Sequence, residues 1–221
     1  RLVNKGTGRR VSAILPVDVL GHPCDMDPIK EIAQKFDLAI IEDATESLGA
    51  RYKGSMVGTL GDISCFSFNG NKAITTGGGG MIVTDNQEWA KRAHYLTTQA
   101  KDDPIEYVHN EIGFNYRLSN ISAAMGVAQM ELLEDVLAAK RAIAARYVAG
   151  LEDLEEITLM ASQPDTEPTY WLYTMLLPEG TTVDERKGFI RTLNQSGIGS
   201  RPLWHPIHGL PPYADCQSYQ V

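Results

Sequence analysis

The stretch from Val11 to Glu42 constrains this chain more than any other. Val11-Ser12-Ala13-Ile14-Leu15-Pro16-Val17 is a nearly continuous apolar run, as in a strand covered on both faces. Asp27 then reads as a helix cap, with Pro28 in the first turn and Ile29, Ile32, Ala33 and Phe36 on one side. Leu38 to Glu42 is a second buried run. A strand, a helix and a strand within about 30 residues make a βαβ unit, so the two strands should lie parallel in one sheet. The fold class expected is therefore α/β.

Further along, Ile63 to Phe68 reads as a third strand and Met81 to Val83 as a fourth. Asp85 followed by Glu88 resembles a capping box, opening a helix with Trp89, Ala93 and Leu96 on its inner side. Gln99 to Asn115 is polar and reads as a long loop, and loops of that length are often functional. Helices are expected over Asn120 to Glu134 and Val136 to Leu154, the second with Lys140, Arg141 and Arg146 on its wet face. A strand from Tyr170 to Leu177 and an amphipathic helix from Asp184 to Gln195 follow, then a Pro- and His-rich loop. We expect residues 1–134 to form part of a large α/β domain, and residues 135–221 a connecting helix and part of a smaller α+β domain. Trp89 and Trp171 are expected in the core. The first residue is Arg1, not Met, and the last follows a Pro-rich loop, so the chain is expected to be incomplete at both ends.

Charge and composition exclude several classes of function. A net charge of -8 with no basic stripe argues against nucleic acid as a partner. No run approaches the roughly 20 apolar residues of a membrane span. Cys24, Cys65 and Cys216 are odd in number and lack metal-ligand spacing, which fits reduced thiols in the cytoplasm. No metal is expected.

Lys72 ends an aromatic strand and opens a glycine run, Ser67-Phe68-Asn69-Gly70-Asn71-Lys72-Ala73-Ile74-Thr75-Thr76-Gly77-Gly78-Gly79-Gly80. An isolated lysine is ordinarily a surface residue, but a partly desolvated one serves as an amine nucleophile toward carbonyls. In open α/β sheets ligands gather at the carboxyl ends of strands. The second strand ends there in Glu42-Asp43, and an acid in that position either caps or works. The third strand delivers Ser67 and then Lys72 toward the same edge. A carboxylate facing a lysine suits pyridoxal phosphate (PLP): the amine holds the aldehyde, the acid keeps the pyridine nitrogen protonated, and a hydroxyl such as Ser67 donates to the phosphate.

Glu42-Asp43-Ala44-Thr45-Glu46-Ser47-Leu48-Gly49-Ala50, then Gly58-Thr59-Leu60-Gly61-Asp62 and Ser67 to Lys72, resembles the DegT/DnrJ/EryC1/StrS family. The resemblance continues through Gly113 to Asn120 and Arg201-Pro202-Leu203-Trp204-His205-Pro206, so it covers essentially the whole chain. These are sugar aminotransferases of the type I (aspartate aminotransferase-like) PLP fold, cycling the cofactor between its PLP and amine (PMP) forms. The resemblance implies that Lys72 is catalytic and binds the cofactor covalently, that Asp43 contacts its ring nitrogen and that Ser67 binds its phosphate. It also implies that Glu46 lies near the ring and that Asn115 reaches the phosphate of a neighbouring subunit, which makes the protein a homodimer. Glu46 resembles the subset acting on 4-keto-6-deoxy nucleotide sugars. Asp43-Ala44-Thr45-Glu46-Ser47-Leu48-Gly49 together with Gln99-Ala100-Lys101-Asp102-Asp103-Pro104 most resembles the transaminases of legionaminic-acid-type pathways, which implies a UDP-linked N-acetyl hexulose as substrate and glutamate as donor.

The alternatives are a GDP-perosamine-type aminotransferase, a PLP-dependent sugar dehydratase, or an inert module. Dehydratases of this fold commonly carry His at the lysine position, which Lys72 disfavours. Tyr116, Arg117 and His205 are weaker substrate candidates. His22 is as good a turn residue as a pocket residue, and His205 with His208 reads as an ordinary loop pair.

Overall fold

The computed structural model describes residues 2–103 and 105–218. Pro104, in the expected loop, and the residues at the two ends lie outside these. The elements in chain order are β1 (Ala13–Ile14), α1 (Met26–Phe36), β2 (Ala39–Asp43), β3 (Arg51–Tyr52), β4 (Ser55–Met56), β5 (Ile63–Ser67), β6 (Gly80–Val83), α2 (Gln87–Thr97), α3 (Asn120–Met130), α4 (Leu133–Leu151), β7 (Thr158–Leu159), β8 (Thr166–Glu167), β9 (Met175–Leu176) and α5 (Val183–Gln195).

The main sheet runs β1-β2-β5-β6, with β1, β2 and β5 parallel and β6 antiparallel to β5. The βαβ unit forms as expected, with β1 and β2 in register from Ala13 opposite Ala39. Regular pairing in β1 is shorter than the apolar run suggests. Pro16 has no N–H to give the ladder. Its carbonyl still accepts from Asp43 N–H at 2.9 Å, and Val17 makes an isolated bridge to Asp43.

Helix α1 starts before Asp27, after Asp25 in the capping position. The Asp25 carboxylate is committed to Tyr52 Oη at 2.8 Å and Asp27 to Lys53 at 2.6 Å, so neither caps. Its buried side runs through Met26 and Ala33, whereas Ile32 faces solvent. In α2 the cap is Asn86, not Asp85: its side chain accepts from the Glu88 and Trp89 N–H groups. Trp89, expected in the core, is exposed, while Trp171 is buried. Helix α5 carries a full capping box between Thr182 and Glu185.

Two further expectations change. The strand from Tyr170 to Leu177 shrinks to β9, because Tyr170 takes a left-handed φ of 50° and turns the chain. Lys140 and Arg141 do not lie on a wet face; they donate to the carbonyls of Trp171 (3.1 Å) and Pro168 (3.2 Å), fastening the segment after β8 onto α4. One core cluster gathers Met26, Ala33, Leu38, Ile40, Val57 and Leu60 beneath the sheet. A second joins Phe68 and Ile74 to Leu133 and Leu137 of α4. Among the described residues no helix is long and apolar enough to cross a membrane.

Candidate active site

Because β1, β2 and β5 are parallel, their carboxyl ends share one edge, and the chemistry-bearing residues follow those ends. Asp18 comes after β1, Asp43 and Glu46 end and follow β2, and Ser67 and Lys72 end and follow β5. Side chains alternate along a strand, so neighbouring acids face opposite ways. Glu42 turns inward and is fully buried, accepting from the N–H groups of Gly58 (2.7 Å), Leu60 and Gly61 (3.0 Å each) and from Ser64 Oγ (3.1 Å). It is the structural acid of the pair, and Asp43 is left for the edge. Gly58 holds a φ of +89°, and a Cβ there would stand 2.0 Å from the Phe66 ring, so no other residue fits this turn.

Lys72 Nζ lies 3.7 Å from Glu46 Oε1, and both side chains are largely shielded, at 13% and 15% exposure. The indole of Trp171 covers the same amine, with Nζ 4.0 Å from the ring centroid. The other Glu46 oxygen accepts the Leu20 N–H at 2.6 Å. That contact needs an unusual backbone: Leu20 has φ 61° and ψ 16°, and Gly21 a φ of 88°. Asp18 holds this turn from within. Its carboxylate accepts the Cys24 N–H at 2.8 Å and faces Ser47 Oγ at 3.5 Å, and its own N–H donates to the Asp43 carbonyl at 3.1 Å.

Asp18 is 1% exposed. Burial raises its pKa from 3.8 to about 6; the Cys24 N–H pulls it back and the nearby Glu42 charge adds to the rise. Burial also lifts the Cys24 thiol to about 12, with Asp18 contributing, and it lowers the His22 imidazole, which sits edge-on to Tyr170 at 5.1 Å. For Asp18 the folded pKa lies above the unfolded one, so the stability it contributes is complete below about pH 4 and is lost as pH rises through about 6. Asp18→Asn should therefore gain on the wild type as pH rises, by about 3 kcal/mol between acid and neutral pH. Denaturant unfolding at both pH values checks this; an unchanged difference between the two proteins refutes it.

Ser67 Oγ accepts the Asn69 N–H at 3.3 Å at the start of the turn that carries Lys72, and the Lys72 N–H closes that turn on the Asn69 carbonyl at 3.0 Å. The glycine run connects this turn to β6, with Gly77 and Gly79 at positive φ. Asn115, Tyr116 and Arg117 make no hydrogen bond, ion pair or ring contact with Lys72 among the described residues. They line a separate open cleft of about 1150 Å³ with Gly77 to Gly80 and the α2 residues Ala93 and Thr97. Tyr116 stacks on Phe114 at 5.0 Å. His205 is exposed, but its neighbour Trp204 stacks on Trp171 at 6.1 Å. No group of three or more His, Cys, Asp or Glu side chains is placed to hold a metal among the described residues.

Sequence reading missed Asp18, the Leu20 N–H and the contact of Trp171 with Lys72. Gly21 just after the first strand was the one local sign of a special turn, and nothing local marked Trp171 as more than a core residue.

A parallel sheet with a shielded lysine and two acids at its carboxyl edge is the arrangement of the type I PLP-dependent transferases. The chain belongs to the DegT/DnrJ/EryC1/StrS aminotransferase family, whose model matches residues 1–221. It is 43% identical over 206 residues to the GDP-perosamine synthase of Caulobacter vibrioides, covering 93% of this chain and 55% of that protein. It is 39% identical over 207 residues to the putative pyridoxal phosphate-dependent aminotransferase EpsN of Bacillus subtilis, covering 94% of this chain and 53% of that one. Among solved structures, DesV of S. venezuelae in complex with a ketimine intermediate superposes with a TM-score of 0.81 at 32% identity, over 95% of this chain and 55% of that one. The chain thus spans about half the length of the relatives it matches. The family and fold read from the motifs hold; the similarity does not single out the legionaminic-acid type.

Proposed function

We propose that this chain carries the PLP site of a nucleotide-sugar aminotransferase, which moves an amino group from glutamate to C4 of a 4-keto-6-deoxy sugar in the cytoplasm, as a homodimer. The observation that carries the reading is the shielded Lys72 amine, set against Glu46 at the strand edge where Asp43 and Ser67 also end. The donor set fits the cofactor. A primary amine suits its aldehyde. Asp43 accepts the Thr45 N–H on Oδ1 and has Oδ2 unengaged among the described residues, which suits a ring N–H. Among the described residues Ser67 Oγ only accepts, so its O–H is available to a phosphate.

Bound PLP supplies the electron sink for amino-group exchange. The chain's own residues then hold and move protons. Glu46, fixed by the Leu20 N–H, orients Lys72. Lys72 Nζ takes a proton from the α-carbon of glutamate in one half of the cycle and delivers one to C4 of the sugar in the other. Asn115, in the cleft lined by the glycine run, serves a second copy, with Tyr116, Arg117 and His205 on the substrate side.

The nucleotide has two readings. Residues 43–49 together with 99–104 resemble those of enzymes for UDP-linked N-acetyl sugars, whereas the Caulobacter vibrioides relative, named a GDP-perosamine synthase, favours a GDP-linked sugar. Incubating the intact protein with PLP, glutamate and matched GDP- and UDP-linked 4-keto-6-deoxy sugars, with mass analysis of the products, decides between them. Conversion of the GDP sugar to its 4-amino product is expected. No amine from any member of the panel would defeat the proposal.

A further inference from the structure

We infer that Trp171 is a positioning residue for Lys72, its indole face forming the seat of the free lysine ammonium. The inference rests on the reading of Lys72 just given. Among the described residues Nζ makes no hydrogen bond; it has the Glu46 carboxylate at 3.7 Å and the Trp171 ring at 4.0 Å. Both partners stabilise positive charge and neither holds it tightly. The ring face carries the negative end of the aromatic quadrupole, and tryptophan offers the strongest such face. An amine that bonds to a cofactor and is released again in each turnover needs a seat of this kind, which fixes its direction without trapping it.

The ring is held from several sides. Trp171 is 3% exposed. Its Nε1–H donates to the Asn71 carbonyl at 2.7 Å, tying it to the residue before Lys72. Its own carbonyl accepts from Lys140 at 3.1 Å. On its outer side Trp204 stacks nearly parallel, at 8°. The segment following β8 therefore places a rigid aromatic plane over an amine borne by the turn after β5. An isolated core tryptophan has no need of a bond to that turn.

The test compares Trp171→Phe, which keeps an aromatic face, with Trp171→Leu, which keeps apolar bulk alone. The intact protein, free of cofactor, is acetylated with an amine-selective ester, and the rate at Lys72 is read by mass spectrometry against the exposed Lys91 in the same sample. Losing the face should speed Lys72 acetylation about fivefold in the Leu variant, with the Phe variant within about twofold of wild type. Equal rates in Leu and wild type overturn the inference, as do Phe and Leu variants that accelerate alike. If Trp171→Leu does not fold, fluorinated tryptophan incorporated throughout drains charge from the ring face while keeping its volume and N–H. Faster acetylation of Lys72 is again expected, and an unchanged rate overturns the inference. Borohydride trapping of added PLP on wild-type Lys72 separates the two levels. Trapping with unaltered acetylation in the variants removes only the role of Trp171, whereas no trapping removes the reading of Lys72 and this inference with it.

Discussion

Lys72→Ala in the intact protein should lower amino transfer to the keto sugar by about 10⁴-fold, because both the anchoring amine and the carrier of the proton are lost. Borohydride reduction in the presence of PLP should leave a phosphopyridoxyl group on Lys72 of the wild type and none at this position in the variant. Folding should change little. Its ion pair to Glu46 is long, at 3.7 Å, and its removal leaves Glu46 still bonded to the Leu20 N–H. The two readouts together separate a catalytic loss from a structural one. Transfer within tenfold of wild type in a variant that keeps its fold would show that the amine of Lys72 is dispensable.

Glu42→Ala should be the most destabilising single change at the sheet edge. It leaves three backbone N–H groups and the Ser64 hydroxyl facing an apolar void, in a place without solvent. Hydrogen bonds to a charged acceptor contribute about 1.5–3 kcal/mol each and do not add fully, so a loss of about 4 kcal/mol is expected. Glu42→Gln should cost about 2–3 kcal/mol, since its NH₂ would turn a donor toward donors. Denaturant midpoints at constant slope measure both. A loss under about 1 kcal/mol for the alanine variant would mean that residues 58–61 find other partners, and that Glu42 does not organise them.

These two acids show how far the sequence was legible. From Glu42-Asp43 alone, an acid at the end of an apolar run is either capping or working, and two adjacent acids share that ambiguity. The alternation of a paired strand resolves it, because once β2 lies between β1 and β5 one acid must face the core and the other the edge. Caps behaved similarly. Asp27 and Asp85 are credible starts by composition, but Lys53 takes Asp27, and Asn86 holds the two N–H groups that Asp85 was expected to serve. Trp89 and Trp171 look alike in the sequence. Only packing sends one to solvent and the other over Lys72.

The sequence by itself determined the parallel strand pair, the order in which acid, hydroxyl and amine reach one sheet edge, and the family motifs that contain them. Those are local quantities: apolar runs, turn residues and spacings that a chain carries whatever else it does. Tertiary structure decided which acid is structural, that Asp18 and the left-handed Leu20 fix Glu46, that Asn115 to Arg117 line a cleft apart from Lys72, and that Trp171 covers the lysine. Each depends on groups distant along the chain meeting at a few ångströms, and no local pattern encodes such a meeting, since it exists only once the strands have paired and the helices have packed.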